Sequence, residues 1–128
     1  MATQTTSGVK ISVEAVFQSE YSNPENEHFM FAYRITIENT SEYTVQLMRR
    51  HWNIFDSTGE TKLVDGDGVV GEQPILSPGD IHQYVSGCNL KTDIGFMEGY
   101  YEMIRQFDNS VFHVHIPRFN LIATYRLN

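Results

Sequence analysis

The sequence predicts an all-β chain, an antiparallel sandwich of seven to eight strands. Apolar and polar residues alternate over several separate segments, no stretch of about 11 residues keeps helical spacing, and turn residues recur every 8 to 15 positions or so. With no helices to make parallel crossovers, neighbouring strands have to pair antiparallel.

Residues 1–8 (MATQTTSG) lack the positive start and apolar stretch of a signal peptide and are read as a flexible polar tail before a single domain over residues 9–128. Val9, Ile11, Val13, Ala15 and Phe17 share one face of a strand, with Lys10, Ser12, Glu14 and Gln18 among the polar residues between and beyond them. The same parity returns in Phe29, Phe31, Tyr33, Ile35 and Ile37, and again in Phe119, Leu121, Ala123, Tyr125 and Leu127. Between Val45-Leu47 and Trp52-Ile54 the parity flips, which a period-two strand achieves only through a bulge or bend near Met48 to His51. Ile81 to Ser86 forms a short strand. Met97, Tyr101 and Met103 share a face, as do Phe112, Val114 and Ile116, and Asp108-Asn109-Ser110 between them reads as a hairpin turn. Asn23-Pro24, Ser57-Thr58-Gly59 and Pro78-Gly79 punctuate the series, the last fitting a type II turn. Cys88 is the only cysteine, so the disulfide of antibody domains is absent. An immunoglobulin-like sandwich of fibronectin type III style, packed around aromatic residues with Trp52 at its centre, fits this pattern.

Composition narrows the function classes. A chain of 128 residues builds one core without staples. One cysteine excludes an intrachain disulfide and a cysteine-rich metal finger and suits a reducing, cytoplasmic setting. Nine Lys and Arg against 16 Asp and Glu give a formal charge of -7, which disfavours direct binding to nucleic acid or anionic lipid. No apolar run is long enough for a membrane-spanning helix.

The segment Asp65 to Asp80, DGDGVVGEQPILSPGD, reads as one long loop. In it Gly66, Gly68 and Gly71 form G-x-G-x-x-G, a spacing that lets backbone amides crowd around a pyrophosphate. A dinucleotide fold would open a helix here, whereas Pro74 and Pro78 follow. Asp65, Asp67 and Glu72 surround the glycines, so the cations for a phosphate have to come from Arg49, Arg50 or Lys62. Turn chemistry, a tight excursion at positive φ between strands, is the favoured reading of the same glycines ahead of anion binding, and a hard divalent cation on Asp65 and Asp67 is a third reading. His113 and His115 lie on one strand face and could ligate a transition metal with a third group from elsewhere. His28, His51 and His82 are isolated. Cys88 has no sequence neighbour to activate it and reads as a small buried hydrophobe. Tyr84, Tyr100 and Tyr101 suit either a recognition surface or strand packing. No acid pair is placed for acid-base catalysis.

Several blocks occur together: Tyr33-Arg34-Ile35 to Glu38-Asn39-Thr40-Ser41; Val45-Gln46-Leu47 with Arg50-His51-Trp52; Gly66-Asp67-Gly68-Val69-Val70-Gly71-Glu72-Gln73-Pro74 with Pro78-Gly79; Met97-Glu98-Gly99-Tyr100-Tyr101; and Ile116-Pro117-Arg118-Phe119. In order and spacing, from about Val9 to Leu127, the chain resembles the ApaG family. The resemblance implies a small bacterial protein with an immunoglobulin or fibronectin type III-like sandwich, associated with cobalt and magnesium resistance or efflux and often encoded near a dinucleoside polyphosphate hydrolase. It implies no catalytic residues, and related domains in eukaryotic F-box proteins and a DNA-polymerase-associated protein serve interaction. A pyrophosphate or nucleotide role suggested for the family's glycine block maps onto Gly66, Gly68 and Gly71. The expectation is therefore a non-enzymatic, cytoplasmic protein-interaction module, a monomer or weak homo-oligomer with an unknown protein partner and no established cofactor. The alternative is a pyrophosphate or nucleotide binder using Gly66, Gly68, Gly71, Arg49 and Arg50, and the third is a divalent-cation protein using His113 and His115.

Overall fold

The structure is a computed structural model that describes residues 1–124. Among the described residues nine strands follow one another: β1 (Ala2–Thr6), β2 (Val9–Phe17), β3 (Phe29–Asn39), β4 (Val45–Asp56), β5 (Thr61–Asp67), β6 (Ile75–Leu76), β7 (Ile81–Leu90), β8 (Ile94–Arg105) and β9 (Ser110–Ile122). They form two antiparallel sheets, one ordered β1-β2-β3-β7 and the other β5-β4-β8-β9, with the two-residue β6 also paired to β4. The expected sandwich is what folds, and two short 3₁₀ turns lie at Ser19–Tyr21 and Pro24–Asn26.

The alternation assigned to β2 and β3 holds residue for residue. Val9, Ile11 and Val13 face inward beside Ile37, Ile35 and the other apolar residues of β3, and all five are essentially inaccessible to water. The parity flip in β4 is a bulge, because the register to β8 slips between Leu47 and Arg49. That slip keeps both Leu47 and Trp52 in the core. Trp52 stands edge-on to Tyr33 at 5.6 Å and to Phe119 at 5.9 Å between centroids, the preferred geometry for ring quadrupoles. Pro78-Gly79 makes the expected turn, with Gly79 at φ 90 and the Asp80 amide bonded to the Ser77 carbonyl.

Several expectations are corrected. Residues 2–6 are not a tail. They pair with Val9–Val13 through a tight turn at Ser7 (φ 51) and Gly8 (φ 79), and β1 packs along β9. Its polarity is that of an edge strand exposed on most of its length. The segments around Phe112–Ile116 and Phe119–Ala123 are not separate strands. They are joined through β9, where Pro117 and Arg118 oppose the single residue Glu98 and so reverse the parity. Pro117 has no N–H to give to a ladder, which suits it to a bulge. Tyr125 and Leu127, assigned to the same face, lie outside the described residues. The strand expected over Ile81 to Ser86 continues to Leu90, and the β8–β9 turn is Gln106–Asn109, leaving Ser110 as the first residue of β9.

The sandwich is closed where β1 and β2 pack on β9. On the opposite side the two sheets end in β7 and β5, and a cleft lies between them.

Candidate functional site

The segment Asp65–Asp80 is less of a loop than its composition suggests. Asp65, Gly66 and Asp67 belong to β5, paired with His51, Arg50 and Arg49, and Ile75-Leu76 returns to β4. Between them Val69 and Glu72 exchange two backbone hydrogen bonds, of 2.8 and 3.0 Å, around Val70 (φ 47) and Gly71 (φ 77). This is a two-residue turn with left-handed dihedrals at both central positions. The Gly68 amide donates to the Met48 carbonyl at 2.9 Å. The amides of Gly68, Val69 and Glu72 are thus already paired with protein carbonyls, and an anion would have to displace them.

The three glycines answer to different requirements. Gly68 sits at φ 60, where a Cβ would fall 2.1 Å from the Glu72 carbonyl oxygen, and Gly71 supplies the second left-handed residue of the turn. Gly66 makes room for Arg50, whose guanidinium lies 2.8 to 2.9 Å from where a Cβ would be. Arg49 and Arg50, two of the candidate cations for this segment, do come to it, and they bind the protein itself. Arg49 pairs with the Asp67 carboxylate at 2.7 Å on the outer face, while Arg50 points inward and donates from one nitrogen to the Asp67 and Gly68 carbonyls at 2.9 and 3.0 Å.

Arg50 enters the cleft between the sheets. A cavity of about 250 Å³ is lined there by Tyr33, Arg50, Trp52, Lys62, Ser86 and Cys88, among others. An outer stretch beside it, sharing Ile54, Lys62 and Asn89 in its lining, is bordered by Asp56, Glu60 and Lys91. Beyond its inner wall, the hydroxyls of Tyr84 and Tyr101 share a short hydrogen bond of 2.5 Å. Burial raises the pKa of Tyr33, Tyr84 and Tyr101, which keeps them neutral, and it pushes the Cys88 thiol up to about 11 despite the nearby Lys62. Cys88 is therefore a protonated, unreactive thiol near neutral pH.

The outer face of the five-stranded sheet carries a second assembly. His51, held by the Asp65 carboxylate at 2.7 Å, stacks on Tyr100 at 4.9 Å, and Tyr100 stacks on His113 at 4.4 Å. Phe55 stacks on Phe96 at 4.8 Å, and the Arg118 guanidinium lies 4.0 Å over the Phe96 ring while bonding Glu98. Ile75 and Ile104 flank Gln46 in register, with Val111 opposite Ile104 on the next strand. Of the predicted tyrosines, Tyr100 alone faces out, because Tyr101 is fully buried and Tyr84 is directed at it.

His113 and His115 are exposed on this face, His113 lying 3.8 Å from Glu102. Among the described residues, no group of three or more His, Cys, Asp or Glu side chains is arranged to hold a metal ion. Tyr33 and Ser86, both of the cleft, were not among the candidate site residues read from the sequence. Only their inward parity on β3 and β7 places them there.

A family model described as "ApaG domain" matches residues 19–105. A protein called Protein ApaG from Paramagnetospirillum magneticum is 46% identical over the whole of both chains, and one from Brucella canis is 45% identical over 94% of this chain and 92% of its own. Among solved structures, a crystal structure described as an ApaA protein of Bordetella pertussis matches with a TM-score of 0.86 at 38% identity, covering 90% of this chain and 93% of that one. The C-terminal domain of wzt shares the fold with a TM-score of 0.56 at 13% identity, covering 95% of this chain and 77% of that one. Full-length identity, the matching domain model and the superposed sandwich agree: this chain belongs to the ApaG domain family.

Proposed function

We propose that the protein is a non-enzymatic interaction module that docks a partner protein on the outer face of the five-stranded sheet. The aromatic surface formed by the Phe55–Phe96 and His51–Tyr100–His113 stacks carries this reading. Stacked rings on a solvent-facing sheet give large contact area at little cost in side-chain entropy, and aromatic residues with arginine dominate the energetics of protein interfaces. Four strands about 4.8 Å apart, the longest about 40 Å, present a face of roughly 800 Å², the size one side of a standard interface needs. Val70 at the loop tip is exposed, apolar and β-branched, yet held at φ 47, a conformation that costs free energy in isolation. Any connection to cobalt and magnesium resistance would then run through the partner, in the cytoplasm, and need no metal held by this chain.

The test compares proteins captured by the wild type, by Phe96→Ser with Tyr100→Ala, and by Val16→Ser with Val85→Ser on the opposite sheet. A specific partner should be retained by the last pair, fall by about tenfold or more with the first pair, and protect β4, β8 and β9 from amide exchange. Equal capture by all three folded proteins would refute the assignment.

A further inference from the structure

We propose that the cleft between β5 and β7 is a binding site for a small organic anion, a carboxylate or phosphate head carried on an apolar body. Charge bookkeeping points there first. Among the described residues, Arg34, Arg49, Lys91 and Arg118 each meet a carboxylate, whereas Lys10, Arg50, Lys62 and Arg105 form no ion pair, and of these four Arg50 and Lys62 line the same cavity. In a chain of net charge -7 two uncompensated cations facing one space form a local reversal of the field, which favours an anion.

The geometry of Arg50 fits that role. One guanidinium nitrogen is anchored to the Asp67 and Gly68 carbonyls, so the group is held in place without being neutralised. Its other nitrogens make no hydrogen bond to described residues, which leaves donors for a carboxylate or phosphate. Gly66 is what lets the guanidinium lie across β5 into the cleft, since any Cβ there would strike it. The first glycine of the motif thus serves an arginine directed into the cleft, anchored on the Asp67 and Gly68 carbonyls.

The rest of the lining supplies a body site and polar handles. Trp52, Ile54, Val64 and Met97 give apolar walls, and the Ser86 hydroxyl, on the residue paired with Tyr33 across the strands, gives a neutral polar handle. A cavity of about 150 Å³ suffices for benzene, so 250 Å³ accommodates a substituted ring. Asp56 and Glu60 border only the outer stretch, which sets the anionic head at the Arg50 end. This site is independent of the aromatic outer face, and either can stand without the other.

Benzoate and phenyl phosphate are the probes, with uncharged benzamide as the isostere. Trp52 is the only tryptophan, so its indole N–H resonance reports on the cavity without ambiguity. Both anions should shift it saturably at millimolar concentration or below, and benzamide should bind at least about tenfold more weakly. Lys62→Gln, on an exposed edge position and expected to fold, should weaken the anions about tenfold, and Arg50→Gln further. No saturable shift up to about 10 mM, equal binding of benzamide, or wild-type affinity in folded Lys62→Gln would overturn the proposal.

Discussion

Replacing Gly66, Gly68 and Gly71 one at a time by alanine separates a turn-and-packing role from a phosphate cradle. At Gly71 the added methyl meets nothing within 4 Å, so the cost is the left-handed backbone alone, about 1 to 2 kcal/mol less what the unfolded chain loses in entropy. A net loss near 1 kcal/mol is expected for Gly71→Ala. At Gly68 the same dihedral penalty applies at φ 60, and the Cβ would overlap the Glu72 carbonyl oxygen at 2.1 Å. Relieving that overlap breaks the paired bonds of Val69 with Glu72, each contributing about 1 kcal/mol, for a total near 3 to 4 kcal/mol. At Gly66 the obstacle is the end of a flexible side chain. Arg50 moves away and loses its two bonds to loop carbonyls, at a cost of about 1 to 2 kcal/mol. Urea unfolding followed by Trp52 emission measures all three. The expected order places Gly68→Ala well below the other two in stability. Three variants of equal, near-native stability would refute this account of the motif and return the glycines to ligand binding.

Val70→Asn should stabilise the protein by about 1 kcal/mol, raising the melting temperature by a few degrees, because asparagine tolerates the left-handed region and the valine side chain is 64% exposed. A destabilised variant would show that Val70 packs in a way its exposure does not reveal. Stability should also fall on the alkaline side. Burial raises the pKa of Cys88 to about 11 from an ordinary 9.0, and raises those of Tyr33, Tyr84 and Tyr101. The unfolded chain therefore releases these protons first, the contribution is intact below about pH 9, and it declines as pH rises. Cys88 alone accounts for up to about 3 kcal/mol between pH 9 and 11, so Cys88→Ala should flatten the first part of the decline in urea midpoints. Midpoints that stay level or rise from pH 8 to 11 would contradict the sign.

The legible parts of the fold were those where one physical rule acts along the chain. Alternation over Val9–Phe17 and Phe29–Ile37 needs only the pleat of a half-buried strand, and the flip before Trp52 announced the bulge at Met48 because a strand cannot change faces otherwise. The illegible parts depended on neighbours. Ala2–Thr6 has too little apolar pattern to read as a strand, and becomes one because β2 offers it an edge and β9 a surface. Asn39, buried completely, shows nothing in sequence of its bonds to the Tyr43 and Leu76 carbonyls and to Ser41, which tie the end of β3 to β6.

The candidate site divides the same way. Sequence alone established the sandwich class and Trp52 as a core residue, placed His113 and His115 on one strand face, and left Arg49, Arg50 and Lys62 as candidate cations for the glycine segment. Tertiary structure decided which way those groups act. It turned adjacent arginines to opposite faces, spent the loop amides on protein carbonyls, and brought Lys62 and Ser86 from separate edge strands into one cleft with Arg50. Alternation is a property of one chain segment and survives in its residue order. The direction of an amide, or the meeting of two sheet edges, follows from pairing between segments far apart in sequence, and no local pattern encodes it.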